Sequence, residues 1–212
     1  MKRSLRAFSP MSVSIDRAHA VLDYWFGPSR TNVAPNHDLW FSGTPEIDQD
    51  IRQRFAVDVE KARDGLYDDW IAEKYSCLAL IVLLDQFSLN IFRDLPKSFD
   101  TAAQAIPLAR HAIRERFDAG LHVHMRGFFY LPLEHSEALE DQELCVAACR
   151  QSIVWEQQKT DGDVPAAESF LQWALVHHDI VARYGRFPGR NAIYHRESTA
   201  DEIEYLKNGG IF

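Results

Sequence analysis

Cys77-Leu78-Ala79-Leu80-Ile81-Val82-Leu83-Leu84-Asp85-Gln86 is the stretch that decides the fold. Its eight consecutive apolar residues show no alternation that would turn one face to water, so the segment is buried on all sides. Periodicity alone leaves a buried strand open. The element that contains the run extends from Trp70 to about Arg93, too long for a strand, and is read as a central buried helix. Toward the N-terminus, Thr44-Pro45 supplies a capping hydroxyl and a proline at the first helical position. Ile47, Ile51, Phe55 and Val59 then recur every four residues until Gly65, which predicts a half-buried helix. Ile15 to Phe26 is a shorter amphipathic segment closed by Gly27-Pro28. Toward the C-terminus, Phe99 to Phe117 is helical through Ala102, Ala105, Ile106, Ala109 and Ile113, with Pro107 marking a kink or a start. Pro132 to Trp155 is predicted as one long helix, with Leu139, Cys145, Val146, Cys149 and Ile153 turned inward. Ala166 to Tyr184 follows, ended by Gly185 as a left-handed cap. Thr199 and Glu202 have capping-box spacing ahead of Ile203 and Leu206. No strand pair or hairpin signal is present. About seven helices joined by short to medium loops predict an all-α protein of stacked antiparallel pairs, either a bundle or a helical-hairpin solenoid. No repeat of roughly 34 residues is visible, and the tetratricopeptide consensus is absent.

The 212 residues are 46% hydrophobic and 12% aromatic, which suits one domain over 15–212 and excludes a disordered chain. Residues 1–14, with Lys2, Arg3 and Arg6 ahead of Pro10, are expected to form a disordered tail. The net charge of −8 argues against a nucleic-acid partner. Judged by uncharged apolar runs, nothing approaches the roughly 18–20 residues of a membrane span, so no membrane partner is expected. Three cysteines, with Cys145 and Cys149 one helical turn apart, make neither a disulfide framework nor a zinc site. The expectation is a soluble, globular, cytoplasmic protein with no metal and no cofactor.

Three polar clusters interrupt the apolar helices. Gln86, Asn90 and Arg93 fall at i, i+4 and i+7 on the end of the central helix and share a face, with Asp85 on the neighbouring stripe. Asp85 follows eight apolar residues, and burying it without a partner would be costly. The second cluster is Glu134-His135-Ser136-Glu137; on one helix Glu134, Glu137 and Asp141 would share a stripe and repel unless compensated. The third combines His177-His178-Asp179 with the loop Arg186 to Asn191. Its arginines, Arg186 and Arg190, are natural counter-charges because guanidinium forks match carboxylates.

The blocks Leu83-Leu84-Asp85-Gln86-Phe87, Asn90-Ile91-Phe92-Arg93, Leu131 to Glu137, and Gly185-Arg186-Phe187-Pro188 with Arg190-Asn191 resemble the signature blocks of one family, domain of unknown function 924. Val21 to Gly27, Trp40-Phe41 and Ser198-Thr199 with Glu202 extend the resemblance over nearly the whole chain. The resemblance implies a tetratricopeptide-like all-helical fold, a stack of antiparallel helical hairpins, and no established activity. His177 matches the family's helix histidine. The chain departs from the pattern at Ser88-Leu89, where proline and arginine are usual, and at Gly189, where histidine is usual. A role resting on the missing basic side chain or imidazole is therefore in doubt here.

Three functions follow from these residues. The first is binding of a small anionic molecule or peptide in a cleft lined by Arg93, His135, His177 and Arg190, with Asp85, Gln86, Asn90, Arg186 and Asn191 beside them. The second is a hydrolase or lyase in which Glu134 or Glu137 works with His135 or His177 as an acid-base pair. The third is a structural or interaction module, with Glu134 or Glu137 paired to Arg186 or Arg190 in a buried network. His122 and His124 are read as a surface loop, and the five tryptophans as core. A ferritin-like metal site needs Glu-x-x-His, and the order Glu134-His135 is wrong for it. No phosphate loop, Gly-x-Ser-x-Gly or His-Glu-x-x-His motif is present.

Overall fold

Residues 10–210 are described by the structure, a computed structural model, and every regular element among them is helical. Helix α1 (Pro10–Phe26) begins inside the stretch expected to be a tail; residues 1–9 of that stretch lie outside the described residues. Gly27, at φ 80°, ends it. The short α2 (His37–Phe41) leads to α3 (Pro45–Arg63), where the Thr44 side chain accepts from the Ile47 N–H and Ile51, Phe55 and Val59 are buried.

The central rod runs from Lys74 to Ile91 as α4 (Lys74–Ile81), a π-turn (Val82–Phe87) and α5 (Ser88–Ile91). Cys77 through Ser88 are all buried. The rod is long and apolar enough to cross a membrane, which apolar runs alone did not reveal, because Lys74 and Asp85 are its only charges; 72% of it is buried within the fold. Helices α1, α3 and α8 pack on it. Where they meet, Phe87 makes edge-on contacts with Trp25 and Tyr24 and a tilted one with Phe55, while Trp25 reaches Phe128.

The predicted Phe99–Phe117 helix is two, α6 (Pro96–Ala102) and α7 (Ile106–Arg114), with Pro107 in the first turn of α7. The predicted Pro132–Trp155 helix is also two. Pro132 lies inside the last turns of α8 (Val123–Glu134), and α9 (Leu139–Gln157) starts afresh after a break. Proline suits a helix start, where the donor it lacks would have no partner; here it sits near a helix end and forgoes the bond to the carbonyl four residues back. Every residue of α8 is buried, so no periodic pattern marks its true beginning. For the same reason His124 is 4% exposed rather than part of a surface loop, and His122 is the α8 N-cap.

Helix α10 (Val164–Tyr184) packs along α9 and α8, and Gly185 at φ 69° is its left-handed cap. The short connections among α8, α9 and α10 make these packed neighbours antiparallel. Gly127 allows the close approach of α10: a Cβ there would lie 2.3 Å from the Phe170 ring. Finally, α11 (Ala200–Lys207) opens with the reciprocal Thr199–Glu202 capping box.

Candidate functional site

The polar end of the rod, the end of α8 and the middle of α10 converge on two cavities. The larger, about 920 Å³, has Gln86, Asn90, Glu134, His135 and His177 among its lining residues. Trp40, Phe41, Phe170 and Trp173 supply aromatic walls. Phe41 and Trp173 are 55% and 49% exposed, so Trp173 belongs to the cavity rather than the core. The smaller cavity, about 470 Å³, is lined by His135, Glu137, Arg190 and Arg196. Leu89 and His135 line both.

Asp85 is fully buried behind this floor. Its Oδ2 accepts from Gln86 Nε2 at 2.6 Å, and its Oδ1 lies 2.8 Å from His135 Nδ1. With Asp85 as the acceptor, the proton of a neutral His135 ring sits on Nδ1 and Nε2 is the basic nitrogen. Burial alone would pull the His135 pKa down, but the Asp85 carboxylate and the nearby Glu134 outweigh it and raise it. Glu134, almost wholly buried, is pushed up to about 7 by burial, with Asp85 adding to the rise and His135 opposing it. His177 moves the other way, down to about 4, chiefly through burial. Its Nδ1 donates to the Trp173 carbonyl at 2.9 Å and stands 3.2 Å from Glu134 Oε1. With a carboxyl pushed up and an imidazole pushed down, both groups are neutral between those two values, and there the contact is not an ion pair.

The arginines have other partners than expected. Glu137 takes two hydrogen bonds from Arg196, at 2.7 and 2.9 Å, and one from the Phe187 N–H. These hold its pKa low against the opposing effect of burial. Arg186 grips Glu202 at 2.6 and 2.9 Å, and that hydrogen bonding leads in lowering the Glu202 pKa to about 2. Asn191 also donates to Glu202. Arg93 is held on Asp48 at 2.6 and 2.8 Å, and Asn90 donates to the same carboxylate. Asp141 accepts from Arg110 and Ser136. The pairing of Glu134 or Glu137 with Arg186 or Arg190 is therefore corrected. The break between α8 and α9 turns Glu137 toward Arg196 and dissolves the expected acidic stripe. The single cleft of Arg93, His135, His177 and Arg190 is corrected too: Arg93 and His177 line the larger cavity, and Arg190 lines the smaller.

A sequence model of the family described as "Bacterial protein of unknown function (DUF924)" matches residues 21–210. The chain belongs to that family. A solved structure, described as that of the protein of unknown function ATU0120 from Agrobacterium tumefaciens, is similar to it. The TM-score is 0.77 at 33% identity, over 92% of this chain and 99% of that one. No curated protein matches.

In this DUF924 chain the residues singled out from the sequence do not form one cluster, and Glu137 and Arg190 line the smaller cavity. Asp85, Gln86, Asn90, Glu134, His135 and His177 come together at the larger cavity. Arg186 and Asn191 line neither cavity and bind Glu202 instead. Gly189, at the position where the DUF924 pattern has histidine, is exposed and lines neither cavity. Leu89, where that pattern has arginine, lies on the wall shared by both. Asp48 and Arg196 carried no periodic signal. Phe41 and Trp173 did carry one: Trp40 and Phe41 are adjacent and cannot both face inward, and Trp173 lies one position off the buried stripe Ala167, Ala174 and Val181. Among the described residues no group of three His, Cys, Asp or Glu is arranged to hold a metal.

Proposed function

We propose that the larger cavity is a small-molecule site whose floor moves a proton, serving a hydrolase or lyase reaction. One observation carries this reading: within one aromatic-walled cavity, burial drives the Glu134 carboxyl up to about 7 and the His177 imidazole down to about 4. Titratable groups whose surroundings separate their pKa values in this way can divide acid and base roles at neutral pH. In this reading Glu134 is the acid, protonated near neutrality. His135, its ring fixed by Asp85, is the second proton-carrying group, and neutral His177, its Nδ1 proton given to the Trp173 carbonyl, accepts a hydrogen bond at Nε2. The volume lies within the roughly 300–1,000 Å³ of small-ligand sites. The arginine–carboxylate pairs that would make this a purely structural network lie around Glu134, His135 and His177, not on them.

The test is a screen of ester, amide, hydroxy-acid and amino-acid substrates with the full chain, followed by Glu134→Gln and His135→Gln. Saturable turnover lost in both variants, each still folded by its far-ultraviolet circular dichroism, is the expected result. No turnover across the panel, together with a Glu134 carboxyl titrating near its ordinary 4.5 by carbon NMR, refutes the reading.

A further inference from the structure

The smaller cavity holds an uncompensated charge. The Arg190 guanidinium packs over the rings of Phe187 and Phe99, 4.4 and 4.6 Å from their centroids. Of the five N–H donors of an arginine, the structure ties one, on Nη1, to the His135 carbonyl at 2.8 Å. Among the described residues no carboxylate forms an ion pair with Arg190, whereas Glu137 and Arg196 on the same wall neutralise one another bidentately. The wall therefore keeps one net positive charge, and burial works against it. The guanidinium carbon lies over both rings, and the N–H donors not tied to His135 are left for a ligand. A guanidinium fork is the geometry a carboxylate meets with two parallel hydrogen bonds. Leu89, Ala102, Ala103, Ile106 and Pro132 form the apolar part of the wall, beside Ser136 and Tyr194.

We propose that the smaller cavity binds a carboxylate carrying a short hydrocarbon body, with Arg190 as its counter-charge. A bare phosphate would meet the guanidinium but leave the five apolar residues against water. Because His135 lines both cavities, an acid seated on Arg190 lies beside the imidazole of the proton-moving floor. The assignment thus names a substrate class for that floor and rests on the reading above.

The experiment is calorimetric titration of the full chain with hexanoate, its neutral analogue hexanamide, and inorganic phosphate. Hexanoate should bind saturably at about 1 mM or tighter, with hexanamide and phosphate each at least about tenfold weaker. Arg190→Gln should abolish hexanoate binding. Because Arg190 also holds the His135 carbonyl, a second variant guards against simple unfolding. Ala103, exposed on the short helical turn between α6 and α7, fills the cavity from its rim as Ala103→Phe. That variant should weaken hexanoate by about tenfold or more with an unchanged thermal midpoint. Equal binding of hexanamide, phosphate as tight as hexanoate, undiminished binding by the folded Ala103→Phe variant, or no saturable binding overturns the proposal. Carbon NMR titration of Glu134 on the same protein separates the two readings. Failed hexanoate binding with Glu134 still titrating near 7 removes the carboxylate site and leaves the acid-base floor. Intact binding with an ordinary Glu134 does the reverse.

Discussion

Glu134 and His177 impose opposite pH dependences on stability, and removing either one should expose the other. The folded Glu134 pKa is about 7 against an ordinary 4.5. Between those values the native state holds a proton that the unfolded state has released, so stability falls as pH rises. The folded His177 pKa is about 4 against an ordinary 6.5. Between those values the unfolded state holds the extra proton, and stability rises with pH. The two windows overlap from 4.5 to 6.5, and there the slopes cancel. Each slope is at most about 1.4 kcal/mol per pH unit, so each group alone contributes about 2 kcal/mol across the overlap. Burial leads both shifts, and neither depends on the other group, so single substitutions should separate them. Urea unfolding followed by tryptophan fluorescence, at pH values across the overlap, measures this. Relative to wild type, Glu134→Gln should gain about 2 kcal/mol on going from the low to the high end, and His177→Gln should lose as much. Three parallel profiles would show that neither group is buried in the protonation state described, and the acid-base reading would fall with them.

Asp85→Asn removes the carboxylate that raises His135. The raised imidazole contributes stability that is full below its unfolded pKa and is lost as pH rises through the folded value. The deficit of this variant against wild type should therefore be larger at mildly acidic than at alkaline pH, and a gap constant with pH contradicts the dyad. Arg196→Ala leaves the half-buried Glu137 with only the Phe187 N–H and should destabilise by about 1–3 kcal/mol. Glu137 should then titrate nearer its ordinary range, which NMR can read. Gly127→Ala drives a methyl group into the Phe170 ring, and overpacking of this kind costs about 1–3 kcal/mol in urea unfolding. A neutral or stabilising result would mean that α10 is not pressed against α8.

The sequence shows helices most clearly where their apolar residues are periodic or their ends are capped, as in α3, α10 and α11. It shows them least where burial is complete. Every residue of α8 is inside, so hydrophobicity has no face to report, and a proline near the end was read as a beginning. That one displacement carried the site errors with it. With a helix assumed through Glu134, Glu137 and Asp141, three acids share a stripe; with the break at 135–138, each finds its own environment. Polar residues set beside long apolar runs were a sound guide, since Asp85, Gln86, Glu134 and His177 are all buried at one place. Which arginine meets which carboxylate was not legible, because Arg196 reaches Glu137 from a loop and Asp48, on α3, meets Arg93 across a tertiary contact, and neither pairing leaves a spacing in the chain.

The π-turn at Val82–Phe87 connects the fold to one of the departures from the family pattern. A wider turn places one more residue in the rod, and these insertions recur at functional sites. From its last residues onward, Gln86, Leu89, Asn90 and Arg93 line one cavity, while Asp85 stays inside, against His135. Ser88 is the first residue after the turn. Its N–H reaches back only to the Asp85 carbonyl, and its hydroxyl, fully buried, contacts the Leu84, Asp85 and Ser98 carbonyls. The DUF924 pattern has proline here. A proline in a regular helix interior costs about 3 kcal/mol or more, through a lost hydrogen bond and a clash with the preceding turn. Where the ladder is already interrupted, both penalties are reduced. Ser88→Pro should therefore cost less than about 3 kcal/mol, the lost hydroxyl bonds included. Leu80→Pro, in the regular α4 segment, should exceed that figure or fail to fold. Urea unfolding of the two variants decides it: equal penalties would mean that the ladder at Ser88 is as continuous as at Leu80, and that the turn does not hold Asp85 behind the floor.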